Sequence, residues 1–379
     1  MGLEIHYSRG RGDESLFDRL RNFNFGPLSA RWIKKRFQFK NTATTSRGTL
    51  NEKFSYFILI HESSEPNFMG IGECAPLSGL SPELNHNFEK KLDEVCDNIH
   101  NYESYLSGGL DDYSSILFGL ETALLDLDSF GNKILFPSKF TEGIEPIHFN
   151  GLIWMGDPDF MVKQINEKLE NGFNTIKLKV GNNRREEELF ILEQLRSNFS
   201  EFELEIRLDA NGAFKPSQAL RIIEEYANFQ IHSIEQPIKP GNWEDLSEIC
   251  RESPVPIALD EELIGISDYN QKSELIETTL PHYLILKPTL CGGIQGAEEW
   301  IAIAEEYNIG WWATSALESN LGLNAIAQWV FTNHNPLPQG LGTGQLFEKN
   351  FKSPLYSSED DLYYDPSIKW DLSYLFDLD

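Results

Sequence analysis

TIKLKV (175–180), ELEIRLD (203–209), HSIEQP (232–237), IALD (257–260) and YLILK (283–287) are five short apolar runs, and each carries a charged residue at or beside its C-terminal end. The acids Asp209, Glu235 and Asp260 stand 26 and 25 residues apart, with Lys179 before them and Lys287 after them. In a barrel of alternating parallel strands and helices, the C-terminal ends of successive strands converge on one face. Acids one βα unit apart can therefore share a cation, and the two lysines would flank it.

Working outward, the same rhythm continues on both sides. Runs at 147–154, 310–314 and 339–343 read as further strands, which makes eight. A helical apolar spacing follows Asp157, and further helices are predicted near 184–198, 216–228, 242–252, 267–278, 293–307 and 319–332. Three acids on consecutive strand ends favour a closed barrel over an open doubly wound sheet. No GxGxxG or GxxxxGK[ST] loop stands at a strand-to-helix turn, which counts against a nucleotide fold. Residues 1–145 read differently. RWIKKRFQFK and KFSYFILIHE are expected to be antiparallel strands joined by NTATTSRGTLNE, followed by helices near 85–105 and 113–129. The predicted organisation is an α+β capping part over 1–145, a barrel over 146–345, and an acidic, aromatic tail over 346–379 that returns to the cap.

Composition narrows the partners. The chain has 379 residues, with 32 basic against 59 acidic and a net charge of −27, which repels nucleic acid and anionic lipid. An anionic small molecule would need a locally positive site, which a metal and lysines provide. Cys74, Cys96, Cys250 and Cys291 form no CxxC pair, so a reducing cytoplasm is expected. The N-terminus has no apolar signal core, and no run approaches the roughly 20 apolar residues of a membrane span. A homo-oligomer is left open.

Several motifs, taken in order, resemble one family: Lys177 and Lys179 as KxK, RLDANGAF (207–214), IEQP (234–237), ALDEE (258–262), LKPTLCGG (286–293) and TSALESNLGL (314–323). Together they are similar to the enolase superfamily, muconate-lactonizing subgroup, over nearly the whole chain from about residue 30. LKPTLCGGI, SALESNLGLNAIAQW and GECAPLSGLSPE are most similar to a dehydratase branch of menaquinone synthesis. That resemblance implies a modified (β/α)7β TIM-like barrel with an α+β cap. It implies Asp209, Glu235 and Asp260 as metal ligands, Lys179 as the general base, and Lys287 as the lysine on the opposite face of the substrate.

The chemistry agrees with those roles. A proton α to a carboxylate leaves only if charge on both oxygens is neutralised as it forms, and oxygen-only ligands point to Mg²⁺, with Mn²⁺ expected to substitute. A free lysine, with a pKa of about 10.4, is protonated at neutral pH, so Lys179 needs neighbours that lower it; the metal and Lys177 are the expected ones. After abstraction the same lysine can protonate a departing hydroxyl, giving a syn elimination of water from a small carboxylate substrate. Lys287, kept charged, would stabilise the enediolate or a ring. Asn211 is expected beside the ligands, and Ser315, Glu318, Gly342 and Thr343 along the substrate pocket. Arg47 could reach over from the cap to a substrate carboxylate. Glu261 is expected in the barrel wall or paired with a lysine. His148, His232 and His282 are expected to be packed or surface residues. Two alternatives stay open: an N-acylamino acid racemase or dipeptide epimerase, which also needs two lysines, and a metal-binding scaffold without activity.

Overall fold

The structure, a computed structural model, describes residues 19–20, 22–45, 48–181 and 185–377, the side chains of 42–45 excepted. β1 (Leu28–Thr45) and β2 (Gly48–Glu62) form a long antiparallel pair with Trp32 opposite Ile58, and β3 (Gly70–Cys74) adds to β2. The expected turn NTATTSRGTLNE is largely strand, because the ladder resumes after a register shift between Gln38 and Ala43. Within the expected helical span 85–105, helix α1 (Phe88–Asp97) breaks where Asn98 turns both its backbone N–H and its side-chain amide onto the Glu94 carbonyl, and short helical turns follow from Ile99 to Gly109. α2 (Ser114–Asp128) is buried from Ser115 to Leu127 and packs against β3. Gly72 permits that contact: a Cβ there would lie 1.8 Å from the Gly119 carbonyl oxygen.

The run 147–154 is divided between two sheets. β4 (Ile147–His148) belongs to an outer sheet, and the chain crosses at Phe149 and Asn150 to β5 (Gly151–Ile153). From β5 the strands β6 (Thr175–Lys179), β7 (Glu205–Asp209), β8 (Ser233–Glu235), β9 (Ile257–Leu259), β10 (Tyr283–Leu286) and β11 (Gly310–Ala313) form one parallel sheet in sequence order. Helices connect or follow them: α3 (Pro158–Glu170), α4 (Arg185–Asn198), α5 (Pro216–Ala227), α6 (Trp243–Glu252), α7 (Tyr269–Thr279), α8 (Gly293–Glu306) and α9 (Asn320–Thr332). The strand interiors are almost wholly buried, as expected of a parallel sheet covered by helices. The eighth expected run, 339–343, is no strand. It makes single parallel bridges, Gln339 to Phe149 and Gly340 to Thr314, and so joins the two edges of the curled sheet. Pro338 lacks an N–H and Gly342 and Gly344 follow, which keeps the ladder short.

In the tail, β12 (Leu355–Ser358) and β13 (Asp361–Tyr364) form a hairpin that pairs with β4 rather than with β1 to β3. Its flanks do reach the first sheet: the rings of Phe347, Phe351 and Tyr374 lie 5.1, 6.0 and 5.8 Å from that of Phe37. Two buried glutamates tie N-terminal elements to later helices. Glu73 on β3 accepts from the backbone N–H of Ser319 (2.9 Å) and Gly322 (3.0 Å) at the start of α9. Glu121 on α2 accepts from Ile294 N (2.6 Å) and Gln295 N (3.1 Å) at the start of α8. Both satisfy helix N-termini that would otherwise be buried without acceptors. No helix among the described residues is long and apolar enough to cross a membrane.

Candidate active site

Strand register brings the predicted charges together. Lys179 on β6 stands opposite Asp209 on β7, and Asp209 stands opposite Glu235 on β8. Asp260 follows the last residue of β9, and Lys287 the last of β10. All three acids are buried, at 1%, 1% and 2% exposure for Asp209, Glu235 and Asp260. Lys177 donates to Glu235 at 2.9 and 3.2 Å and lies 3.2 Å from Asp209 Oδ2. Lys179 donates to Asp209 Oδ2 at 2.8 Å and to Asn211 Oδ1 at 2.9 Å. Lys287 pairs with Asp260.

Asn211 holds the turn after β7 in the left-handed region, φ 46°, with its N–H on Asp209 Oδ1 (3.0 Å) and its amide on Glu261 Oε1 (3.0 Å). Glu261 therefore takes a hydrogen bond from Asn211 in a buried position. Gln236 has no place in the sequence reading, yet its side-chain oxygen accepts from the backbone N–H of Asp260 (3.2 Å) and of Glu262 (3.1 Å). It links the end of β8 to the end of β9 and so sets where Asp260 emerges. The only sequence signal was a polar residue between the apolar run and Pro237.

The charges respond to burial. Burial, more than any neighbour, lowers Lys179 below the ordinary lysine value; Asp209 opposes this and Lys177 adds to it. Lys177 acts in the expected direction, and desolvation, which the sequence reading did not name, leads. For Lys177 burial also lowers, but Glu235, Asp209 and Asp260 together outweigh it and the net direction is upward. Glu235 is pushed up to about 8, by burial first and Asp209 second. Asp209 is held low because Lys179, Lys177 and Lys287 together overcome its burial.

A cavity of about 410 Å³ opens over these groups. Lys177, Lys179, Asp209, Asn211 and Lys287 line one side; Ser315, Gly342 and Thr343 line it elsewhere. Leu50, Leu77, Leu80, Leu152, Trp154 and Leu317 give it apolar wall. Glu318 does not line it. That carboxylate is fully buried and accepts from Ser315 Oγ and Thr289 Oγ1, both at 2.5 Å. Arg47 lies outside the described residues, although Gly48, Thr49 and Leu50 beside it reach the cavity. The histidines stay away: His148 pairs with Asp361, His232 stacks on Tyr283 at 5.0 Å, and His282 accepts from Ile257 N.

Three buried carboxylates with no histidine or thiolate beside them suit a hard divalent cation such as Mg²⁺. Lys177, Lys179 and Lys287 already pair with these acids, so a cation would share their oxygens with the ammonium groups. The oxygens of the three acids are nonetheless not all within 4.8 Å of one another, and Lys177 bridges Asp209 and Glu235. Among the described residues, the acid and histidine group that meets that spacing is His148, Asp360 and Asp361 on the outer sheet, none of which lines the cavity.

Residues 160–361 match a family model described as enolase C-terminal domain-like. The o-succinylbenzoate synthase of Desulfotalea psychrophila is 42% identical over 348 residues, covering 84% of this chain and 94% of its own. The crystal structure of MenC from the same organism matches with a TM-score of 0.77 at 37% identity, over 89% of this chain and all of that one. A dipeptide epimerase of Enterococcus faecalis, solved with Mg and the dipeptide L-Leu-L-Tyr, shares the fold at a TM-score of 0.75 and 20% identity, over 92% of this chain and 98% of its own.

Proposed function

Because this chain belongs to the o-succinylbenzoate synthase family of the enolase superfamily, we propose that it forms 2-succinylbenzoate by removing water from 2-succinyl-6-hydroxy-2,4-cyclohexadiene-1-carboxylate. The finer architecture in this reading is a modified (β/α)7β barrel under an α+β cap drawn from residues 1–145 and 346–379. The paired bridges of Gln339 and Gly340 support closure of that barrel.

The dehydratase reading is carried by the 42% identity to an o-succinylbenzoate synthase, and the pair Lys179 and Lys287, either side of the three carboxylates and both lining one cavity, supports the proton transfer it requires. Asp209, Glu235 and Asp260 would hold Mg²⁺. Bound there, the cation would neutralise the substrate carboxylate as its α-proton is lost. Lys179, lowered by burial, takes the proton from the α-carbon; the freed electron pair forms the new ring double bond as the C–O bond to the hydroxyl breaks. The ammonium so formed protonates the leaving hydroxyl on the same face, and water departs. Lys177 stays charged between Glu235 and Asp209 and fixes both. Asn211 holds the Lys179 amine toward the cavity, and Lys287 balances charge from the other side.

The test is conversion of the cyclohexadiene followed by absorbance, beside racemisation of N-succinylamino acids and dipeptides. Dehydration is expected to dominate; turnover of dipeptides alone would transfer the chain to the epimerase reading. Lys179→Ala is expected to lower kcat by at least about 10³-fold, with Mg²⁺ affinity by calorimetry retained.

A further inference from the structure

The loop after β11 is held from two directions. Within the barrel, Ser315 Oγ accepts from Leu317 N at 3.0 Å and donates to the buried Glu318, which also takes the Thr289 hydroxyl. From the first sheet, Glu73 accepts from Ser319 N, and Lys53 on β2 sends its ammonium to the Leu317 carbonyl at 2.9 Å. Leu317 differs from its neighbours in this loop. At φ 63° it holds a left-handed conformation that leucine rarely adopts, and it lines the cavity together with Lys179 and Lys287. Leu50, three residues before Lys53 on the same strand, lines the cavity too, and both leucines pack against one cluster built on Phe37, Phe57 and Phe351.

A backbone carbonyl needs no more than a neutral donor, yet here it receives a buried ammonium. Lys53 is 6% exposed; its burial favours the neutral amine, and the charges of Glu73 and Glu318 oppose that loss. A buried cation is costly unless its partners are fixed, and these are fixed by the loop itself. The bond secures the carbonyl of the one residue between Thr314 and Ser319 whose backbone is left-handed. Once it is removed, Leu317 is free to relax to an ordinary conformation, and the wall it forms moves.

We propose that Lys53 is a positioning residue for ligand binding. Acting through the Leu317 carbonyl, it ties the first sheet to the β11 loop and sets the spacing of Leu50 and Leu317, the apolar wall over the bound carboxylate. Lys53 does not itself line the cavity, so its effect reaches the ligand through Leu317. This rests on the cavity being the active site, as read above, and not on which of the two substrates it takes.

The experiment is a double-mutant cycle on the full chain loaded with Mg²⁺: Lys53→Met, Leu317→Ala and the two combined, with KM and kcat measured on the cyclohexadiene. Each single variant is expected to raise KM about tenfold with kcat within about threefold, and the double variant to be no worse than the weaker single one, because both act on one wall. A merely structural Lys53 would lower Tm without moving KM, or would multiply with Leu317→Ala, and either result overturns the proposal. So does an unchanged KM in Leu317→Ala, whatever Lys53→Met does. Should the methionine chain fail to fold, Lys53→Gln, which keeps an N–H but ends one atom short, takes its place in the cycle with the same expected coupling. If the wild type turns over dipeptides and not the cyclohexadiene, the dehydratase reading falls alone and the cycle is run on the dipeptide, where the same coupling is expected. A wild type that turns over neither removes the active-site reading and this proposal with it.

Discussion

Asn211 accepts the Lys179 ammonium on its carboxamide oxygen, donates to Glu261 from its nitrogen, and turns the backbone at φ 46°. These roles separate by substitution. Asn211→Gly keeps the turn and loses both side-chain bonds, whereas Asn211→Ala also strains the backbone by about 1–2 kcal/mol. Both are expected to lower kcat about tenfold, but only alanine to lower Tm clearly. A glycine variant with wild-type kcat would remove Asn211 from the positioning of Lys179. The acids and lysines were legible because each ends or follows an apolar run, and strand ends gather on one face whatever the loops do. Glu318 was misread because spacing cannot tell whether a loop acid turns to the cavity or back toward Ser315 and Thr289. Gln236 was missed because its worth depends on how β8 sits against β9.

Helix α8 begins on the carboxyl of Glu121, which burial pushes up to about 8 from an ordinary 4.5. Glu83, whose carboxyl accepts from Ser115 N in the first turn of α2, is pushed up to about 8 for the same cause. In both, the folded state keeps a proton that the unfolded chain releases above pH 4.5. Stability therefore falls as pH rises from about 4.5 toward about 8, by at most about 1.4 kcal/mol per pH unit for each group, and levels beyond. Glu121→Gln, which keeps one acceptor and cannot ionise, is expected to be no more stable than wild type at pH 5 and to gain on it by pH 8. Urea unfolding at the two pH values checks this, and parallel profiles for the two proteins would contradict it. Elements themselves were legible where periodicity is strong, as in β6 to β10 and their helices. The run 147–154 and the run 339–343 were not, because their apolar residues serve two sheets and two edges, a partition that only tertiary pairing sets.

Across the whole molecule a net charge of −27 surrounds a cavity whose lining holds three lysines and one aspartate, so an anionic ligand meets ammonium groups there that the acidic surface does not offer. Treatment with EDTA is expected to abolish turnover, with Mg²⁺ or Mn²⁺ restoring it. Mg²⁺ at a hundredfold excess over its Kd is expected to add about 2.7 kcal/mol to unfolding stability, an increment that Asp209→Asn should erase. Activity that survives chelation, or a Tm indifferent to Mg²⁺, would count against the carboxylate trio as its holder. The reach of Glu73 to Ser319, 246 residues further along, also bears on how the chain is made. At about 5–20 residues per second of synthesis, this buried acid waits roughly 12–50 s for its partner to leave the ribosome. Until then the Glu73 carboxylate stays in water and the first sheet keeps bare phenylalanines where Phe347 and Phe351 will later lie, so the newborn protein is most prone to clumping before its last third has been translated.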